Sequence, residues 1–274
     1  MIENILQIVK LGFTLGFRAG SRLPSFVGNT IRGAFGASLS RQCCVMEKLR
    51  CDNCDALETC AYGSMFKVQN EESVPNPYVI SAPYPSKGDY GADDTLDFSI
   101  SLFGTAHRFE NDVIRAAESM CNGTLRNAVL EDSWQEYNRE WSDSGAESIE
   151  FCDVLDIRFL APAELRSKGE ALKEISFEQL IDSLFGRIAD IIDNYTNSEF
   201  VLPYSLLERK PYVKAESQLE SFSFSTNSQP IEAVMGSVRY FGDVTRYLPY
   251  IDLGTQLHIG KKTTRGCGEY TFMI

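Results

Sequence analysis

The stretch LDFSISLFGTAHRFENDVIRAAESM, Leu96–Met120, combines two kinds of hydrophobic spacing. Apolar and polar residues alternate over Leu96–Phe103, which predicts a strand with one buried face. Gly104 interrupts that alternation, and Phe109–Met120 then has the spacing of an amphipathic helix. A strand followed directly by a helix indicates a mixed α+β unit.

Similar elements lie on the N-terminal side of this stretch. Residues 4–18 are rich in Ile, Leu, Val and Phe and predict a strand. After a break at Leu23-Pro24, the segment Thr30–Leu39 places apolar residues every four positions, which predicts a helix capped by Asn29 or Thr30.

The C-terminal half also combines predicted strands with a predicted helix. Its most regular helical pattern is Ser176–Tyr195, where Ser176 followed by Gln179 has the spacing of a capping box. The strands predicted around this helix are Phe151–Leu160, Ala233–Tyr240, Leu253–Ile259 and the last strand, Glu269–Ile274.

This order of elements predicts the α+β class. Two tandem ferredoxin-like domains, RRM-like with the order β-α-β-β-α-β, suit the pattern. The first would span residues 1–149 with a cysteine-cluster insertion at 43–60, and the second residues 150–274 with a glycine-rich loop. A chain of 274 residues is long enough for two such domains.

Composition and charge limit the function. No run of about 18 apolar residues suggests a membrane span, and the start lacks the features of a signal peptide, so we expect no membrane partner and a cytoplasmic location. The net charge of −12 argues against a simple electrostatic nucleic-acid binder. However, Arg18–Arg50 holds six Arg or Lys against one acid, so a basic face can coexist with the acidic total.

Five of the eight cysteines lie close together in sequence. Cys44, Cys51, Cys54 and Cys60 surround a central C-x-x-C, and Cys43 could replace Cys44. Four thiolates suit a tetrahedral structural zinc, which is the preferred interpretation. An iron–sulfur cluster is also built from four cysteines, and reduced thiols without metal are the plain alternative.

The segment HIGKKTTRGCGEYTF, His258–Phe272, is glycine-rich and basic. Its glycines allow tight turns and close backbone approach, and its cations and hydroxyl groups can hold a phosphodiester. It lacks the P-loop pattern, and a plain hairpin turn is the alternative. The predicted RNA-binding residues here are Gly260, Lys261, Lys262, Thr263, Thr264, Arg265, Gly266 and Gly268.

Three blocks, Leu23–Leu39, Ser101–Met120 and Gly242–Phe272, resemble the CRISPR-associated RAMP proteins, specifically the repeat-processing endoribonucleases. The first block, followed by the cysteine cluster, is similar to one branch of that family. The resemblance implies two ferredoxin-like domains with an RNA-binding surface between them. It implies CRISPR repeat RNA as the partner, with other CRISPR effector subunits as further partners.

The implied reaction is metal-independent cleavage of precursor CRISPR RNA, in which a ribose 2′-hydroxyl attacks the adjacent phosphate and leaves a 2′,3′-cyclic phosphate. Such chemistry needs an acid, a base and positive charge on the phosphate, and no catalytic cofactor. The chain has two histidines. His258, beside the loop, is the first candidate and His107 the second, with Arg32 as an RNA contact and Tyr62 as a weak candidate. The family often places a catalytic histidine near the first helix, and this sequence has none there.

Two other functions remain open at this point. A non-catalytic RNA-binding RAMP subunit of a CRISPR effector complex would share the fold and the loop. A zinc-stabilised protein–protein adaptor without RNA affinity would be consistent with the negative net charge of the chain. RNA cleavage in EDTA separates the enzyme from the subunit, and salt-dependent RNA binding excludes the adaptor.

Overall fold

The computed structural model describes residues 5–44, 51, 54–67, 74–121, 125, 127–142, 151–201, 206, 212–225 and 230–274. The chain divides into two compact units. The first unit covers Gln7–Arg139. The second covers Glu140–Ile274 and includes the start of the chain through Leu6. The predicted boundary between residues 149 and 150 lies outside the described residues.

The first unit is built on one four-stranded antiparallel sheet. Its elements are β1 (Ile5–Phe17), β2 (Ser21–Arg22), α1 (Val27–Cys43), α2 (Ala61–Phe66), β3 (Tyr78–Ser81), β4 (Asp89–Tyr90), β5 (Thr95–Phe103), a 3-10 helix (Gly104–Phe109), α3 (Glu110–Met120) and β6 (Ala128–Ser142). The sheet order is β3-β5-β1-β6, and β2 pairs separately with β4.

Alternating side chains explain this sheet. Leu11, Phe13 and Leu15 of β1 are buried, and Phe13 lies opposite Phe98 of β5 with ring centroids 5.1 Å apart. The predicted strands at 4–18 and 96–103 are therefore confirmed. Helix α1 begins earlier than predicted, at Val27, and neither Asn29 nor Thr30 caps it because both lie inside the helix.

The second unit repeats the design. Its elements are β7 (Val154–Ala163), β8 (Arg166–Ser167), β9 (Glu170–Ala171), α4 (Phe177–Tyr195), β10 (Lys214–Ser225), β11 (Pro230–Phe241), a 3-10 helix (Thr245–Tyr247), α5 (Leu248–Leu257), a 3-10 helix (Thr263–Arg265) and β12 (Tyr270–Met273). The sheet order is β10-β11-β7-β12, the same relative order as in the first unit. Each unit thus has the order β-α-β-β-α-β, which confirms two tandem ferredoxin-like folds.

Helix α4 forms as its sequence predicts. The Ser176 hydroxyl accepts from the backbone N–H of Gln179 at 3.2 Å, and the Gln179 side chain accepts from the Ser176 N–H at 2.9 Å. The apolar stripe is buried, with Leu184 and Ile188 fully enclosed. Burial of such a stripe, more than helix propensity, stabilises the helix on its sheet.

The predicted strand Leu253–Ile259 is wrong, because Leu248–Leu257 forms helix α5. Proline at the second position suits a helix start. The hydroxyl of Tyr270 donates to the carbonyl of Ile251 at 2.7 Å, and Gly254 lets that ring approach the helix closely. A short apolar segment has no clear period, so tertiary packing decides its form.

In the part of the chain described here, no helix is both long enough and apolar enough to cross a membrane.

Candidate functional site

The glycine-rich loop, residues 258–269, joins α5 to β12 in the second unit. Its backbone takes the left-handed conformation at several positions. Positive φ angles occur at His258 (56°), Gly260 (79°), Lys262 (61°), Gly266 (88°) and Gly268 (75°). The loop is therefore a folded structure with defined turns, and the alternative of a plain hairpin turn between two strands is wrong because a helix precedes it.

The loop packs closely against the end of β7. A Cβ at Gly268 would lie 1.8 Å from the carbonyl oxygen of Ile259, and one at Gly260 would lie 2.4 Å from that of Glu164. The N–H of Lys261 donates to the Glu164 carbonyl at 2.9 Å, and the N–H of Gly268 donates to the Pro162 carbonyl at 2.9 Å. Gly260 and Gly268 therefore leave room for the loop backbone to contact Glu164 and Ile259 closely.

A buried ion network anchors the loop. Glu164, at the end of β7, is 1% exposed. Its carboxylate accepts from the Lys262 ammonium and from Arg166, whose Nε lies 2.9 Å away. Burial raises the pKa of the Glu164 carboxyl, but the hydrogen bonds from Lys262 and Arg166 outweigh burial, and the net pKa is lowered. The carboxylate is therefore ionised near neutral pH.

Arg187 of α4 holds the other side of the loop. Its guanidinium donates to the hydroxyl of Thr263 at 3.0 Å and to the carbonyl of Leu257 at 3.3 and 3.4 Å. Burial lowers the pKa of Arg187 to about 10, against an opposing effect from Asp190. Arg187 remains charged at neutral pH and links α4, the end of α5 and the loop.

His258 lies inside this structure. The residue is 1% exposed, and its Nδ1 lies 3.2 Å from the carbonyl oxygen of Cys267. The ring therefore contributes to the packing of the loop and offers little surface to a substrate. The sequence argument for His258 as the first catalytic candidate rested on its position beside the loop cations, and the structure places the ring beneath that loop.

The loop cations differ in exposure. Lys261 is exposed, whereas Lys262 and Arg265 are half-buried and Thr263 and Thr264 are buried. Of the predicted RNA-binding side chains in the loop, Lys261 is thus the most open to solvent.

His107 and Arg32 belong to the first unit. His107 is an exposed residue of the 3-10 helix, and its Nδ1 lies 2.8 Å from the carbonyl oxygen of Gly104. Arg32, in α1, is half-buried with its guanidinium 5.2 Å from the ring centroid of Phe66. Tyr62 stacks on the same ring at 5.3 Å. Tyr62 and Phe66 both belong to α2, so this helix packs against Arg32 of α1, and Tyr62 takes part in the packing of Phe66.

The cysteine cluster lies between α1 and β3 of the first unit. Cys60 caps α2, and its sulfur accepts from the N–H of Gly63 at 3.5 Å. Burial raises the pKa of the Cys51 thiol, and nearby Cys44, Cys60 and Cys54 raise it further, against Lys67. All four are free thiols. Among the described residues, no group of three or more Cys, His, Asp or Glu side chains has the geometry to hold a metal ion.

Sequence reasoning missed Glu164, Arg166 and Arg187. A signal for Glu164 was available, because it is the one charged residue in the run FLAPAEL, Phe159–Leu165. An acid in an apolar run that ends a strand is either exposed or paired, and here it is paired. Nothing in the sequence of α4 distinguishes Arg187 from a solvated arginine.

Comparisons with known proteins agree with this architecture. Residues 157–270 match the family model of the CRISPR-associated endoribonuclease Cas6, and residues 6–132 match the AF_1859_N family, described as an N-terminal domain. An uncharacterised protein of Archaeoglobus fulgidus is 22% identical over 97% of both chains.

Solved structures share the fold along the whole chain. The Thermus thermophilus Cas6 protein TTHB231, in a product complex, has a TM-score of 0.63 at 13% identity and covers 98% of this chain and 100% of its own. The product complex of the Cas6 protein TTHA0078 has a TM-score of 0.60 at 17% identity, with 98% and 100% covered. A partial Cas6-RT-Cas1–Cas2 complex has a TM-score of 0.65 at 11% identity; this chain covers 46% of it.

The chain has two ferredoxin-like units, the second with a glycine-rich loop ahead of its last strand, and this fold is similar to that of the solved Cas6 structures. The family match covers the core of the second unit and its glycine-rich loop, and it ends at Tyr270, the first residue of the last strand. The second unit is therefore similar to the CRISPR-associated endoribonuclease Cas6.

Proposed function

We propose that this chain is an endoribonuclease that cleaves CRISPR repeat RNA. The observation that carries the proposal is the Cas6 family match over residues 157–270, which includes the whole glycine-rich loop. The shared fold supports it, since the similar proteins TTHB231 and TTHA0078 were solved as product complexes. Neither finding fixes the chemistry of the cut.

For that chemistry we propose internal transesterification without a metal ion. The 2′-hydroxyl attacks the adjacent phosphorus, the bond to the 5′-oxygen breaks, and a proton passes from the attacking oxygen to the base and from the acid to the leaving oxygen. The products are a 2′,3′-cyclic phosphate and a 5′-hydroxyl. Lys261, which is exposed, supplies positive charge for binding the RNA backbone.

His107 is the proposed acid or base. It is the exposed one of the two histidines, and imidazole is the side chain that most often serves as a general acid or base. Replacing His107 by Ala should lower the single-turnover cleavage rate about 10²–10⁴-fold without weakening RNA binding. The matched variant H258A should instead lower stability, because it removes a buried ring.

The experiment is cleavage of end-labelled repeat RNA in EDTA, followed by analysis of the product ends. We expect a cut at one position that yields a cyclic phosphate and a 5′-hydroxyl. A cut that requires a divalent ion, or that leaves a 5′-phosphate, would rule out the proposed chemistry.

A second function is supported by the burial of His258 and by the absence of histidine from α1. A chain with one accessible histidine could bind repeat RNA without cutting it, as an RNA-binding RAMP subunit. Tight, salt-dependent binding together with no cleavage after prolonged incubation would identify this subunit. Co-purification with other CRISPR proteins, which we propose as partners, would support the same result.

We also propose that Cys44, Cys51, Cys54 and Cys60 bind a structural zinc. Four thiolates are the donor set of many structural zinc sites, and the N–H of Cys54 closes a turn on the carbonyl of Cys51 at 3.0 Å within the central C-x-x-C. Because the described side chains are not grouped around a metal position in this structure, zinc binding would draw them together. A bound metal would join α1 to α2. Metal analysis should find one zinc per chain and no visible absorption, whereas a broad visible band would indicate an iron–sulfur cluster instead.

A further inference from the structure

Two adjacent lysines of the glycine-rich loop have different surroundings. The side chain of Lys261 is exposed and forms no ion pair or hydrogen bond with any described residue. The side chain of Lys262 is 24% exposed, and its ammonium donates to the carboxylate of Glu164. The two lysines are alike in sequence, but in the structure the first is exposed and the second is paired with a buried carboxylate.

Glu164 causes this difference. Its side chain is 1% exposed, and a buried carboxylate is stable only with charged or hydrogen-bonding partners. Lys262 occupies one carboxylate oxygen and Arg166 the other, at 2.9 Å. The carbonyl of Glu164 also accepts from the N–H of Lys261 at 2.9 Å. One residue therefore holds the backbone of the first lysine and the side chain of the second.

The backbone conformation agrees with this role. Lys262 has φ 61°, a left-handed conformation that is unfavourable for a residue with a side chain. A non-glycine residue keeps such a conformation when its surroundings hold it there. The ion pair with Glu164 and the bond from the N–H of Arg265 to the Lys262 carbonyl, at 2.9 Å, do so.

We propose that Glu164 is the positioning residue of the glycine-rich loop. It draws the ammonium of Lys262 into the fold and thereby directs Lys261 outward to the RNA phosphate. The inference rests on the proposed RNA-binding function and assigns the two lysines to different tasks: Lys261 contacts RNA, and Lys262 contacts Glu164.

The salt dependence of RNA binding separates these tasks. Each phosphate contact releases counterions and adds about 0.7 to the slope of log affinity against log salt for single-stranded RNA, or about 0.9 for a duplex. K261Q should lose about that amount of slope. K262Q should keep the wild-type slope, because the ammonium it removes is bound to a carboxylate.

The experiment measures repeat-RNA affinity by fluorescence anisotropy at a series of salt concentrations for the wild type, K261Q, K262Q, E164Q, E164Q/K262Q and the control E170Q. Glu170 is an exposed acid in the same unit, so E170Q makes the same change of charge without touching the loop. E164Q releases Lys262 and should steepen the slope. The double variant should return it to the wild-type value, and E170Q should leave the slope unchanged.

Equal losses of slope in K261Q and K262Q would overturn the inference, and this comparison does not depend on the folding of any Glu164 variant. A steeper slope in E170Q as large as that in E164Q would also overturn it. No measurable binding by the wild-type protein would instead overturn the proposed function, and the inference with it.

Discussion

Alanine at Gly268 is predicted to displace the glycine-rich loop. Gly268 has φ 75°, and an added Cβ would lie 1.8 Å from the carbonyl oxygen and 2.9 Å from the carbonyl carbon of Ile259. Both atoms are backbone, so no side-chain rotation can relieve the overlap. The chain must separate where the Ile259 N–H donates to the Gly268 carbonyl at 3.0 Å and the Gly268 N–H donates to the Pro162 carbonyl at 2.9 Å.

The magnitude follows from these contacts. A left-handed conformation costs alanine about 1–2 kcal/mol, and two lost hydrogen bonds cost about 1–3 kcal/mol. We therefore expect G268A to lower the free energy of unfolding of the second unit by about 2–5 kcal/mol. Because the loop moves, we also expect RNA binding to weaken.

Gly169 provides a matched control. It has φ 87°, but an added Cβ would meet nothing within 4 Å. G169A should therefore cost only the conformational part, about 1–2 kcal/mol, and leave RNA binding unchanged. Urea denaturation followed by circular dichroism compares the two variants. Equal losses of stability would refute the account of how the loop is packed.

Three further predictions concern the second unit. Because the pKa of Glu164 is lowered in the folded state, its ion pairs stabilise the fold fully above its ordinary pKa of 4.5, and this stability is lost as pH falls through the folded-state pKa. E164Q should therefore reduce the acid sensitivity of unfolding measured between pH 5 and 3. R187L should lower the free energy of unfolding by about 1–3 kcal/mol in urea titrations, and R187K should recover less than half, because a single ammonium cannot reach both Leu257 and Thr263. S176A should cost about 0.5–2 kcal/mol through loss of the helix cap, whereas S183A in the same helix should stay within about 0.5 kcal/mol.

The fold was predictable where periodicity is strong. Strand β5 alternates apolar and polar residues from Leu96 to Leu102, and α4 carries both a regular apolar stripe and a capping box, so local signals alone define them. Helix α5 was mistaken for a strand because ten residues with apolar side chains at irregular intervals fit either form. Its helical form depends on packing against Tyr270, which lies in another element.

The site was predictable as a segment and less so as individual residues. Glycines and cations indicated the loop, because turns with positive φ favour glycine. The burial of His258 depends on the Cys267 carbonyl and the ion pair of Lys262 depends on Glu164, ninety-eight positions away in sequence. Contacts of this kind are properties of the folded chain, and no local pattern reports them.

The most direct test of the central claim uses repeat RNA with a single 2′-deoxynucleotide at the cut site. Binding and single-turnover cleavage are measured side by side with the all-ribose RNA. If the chain cleaves by attack of the 2′-hydroxyl, the modified RNA is bound with unchanged affinity and is not cut at that position. Cleavage of both RNAs at the same rate would contradict this account.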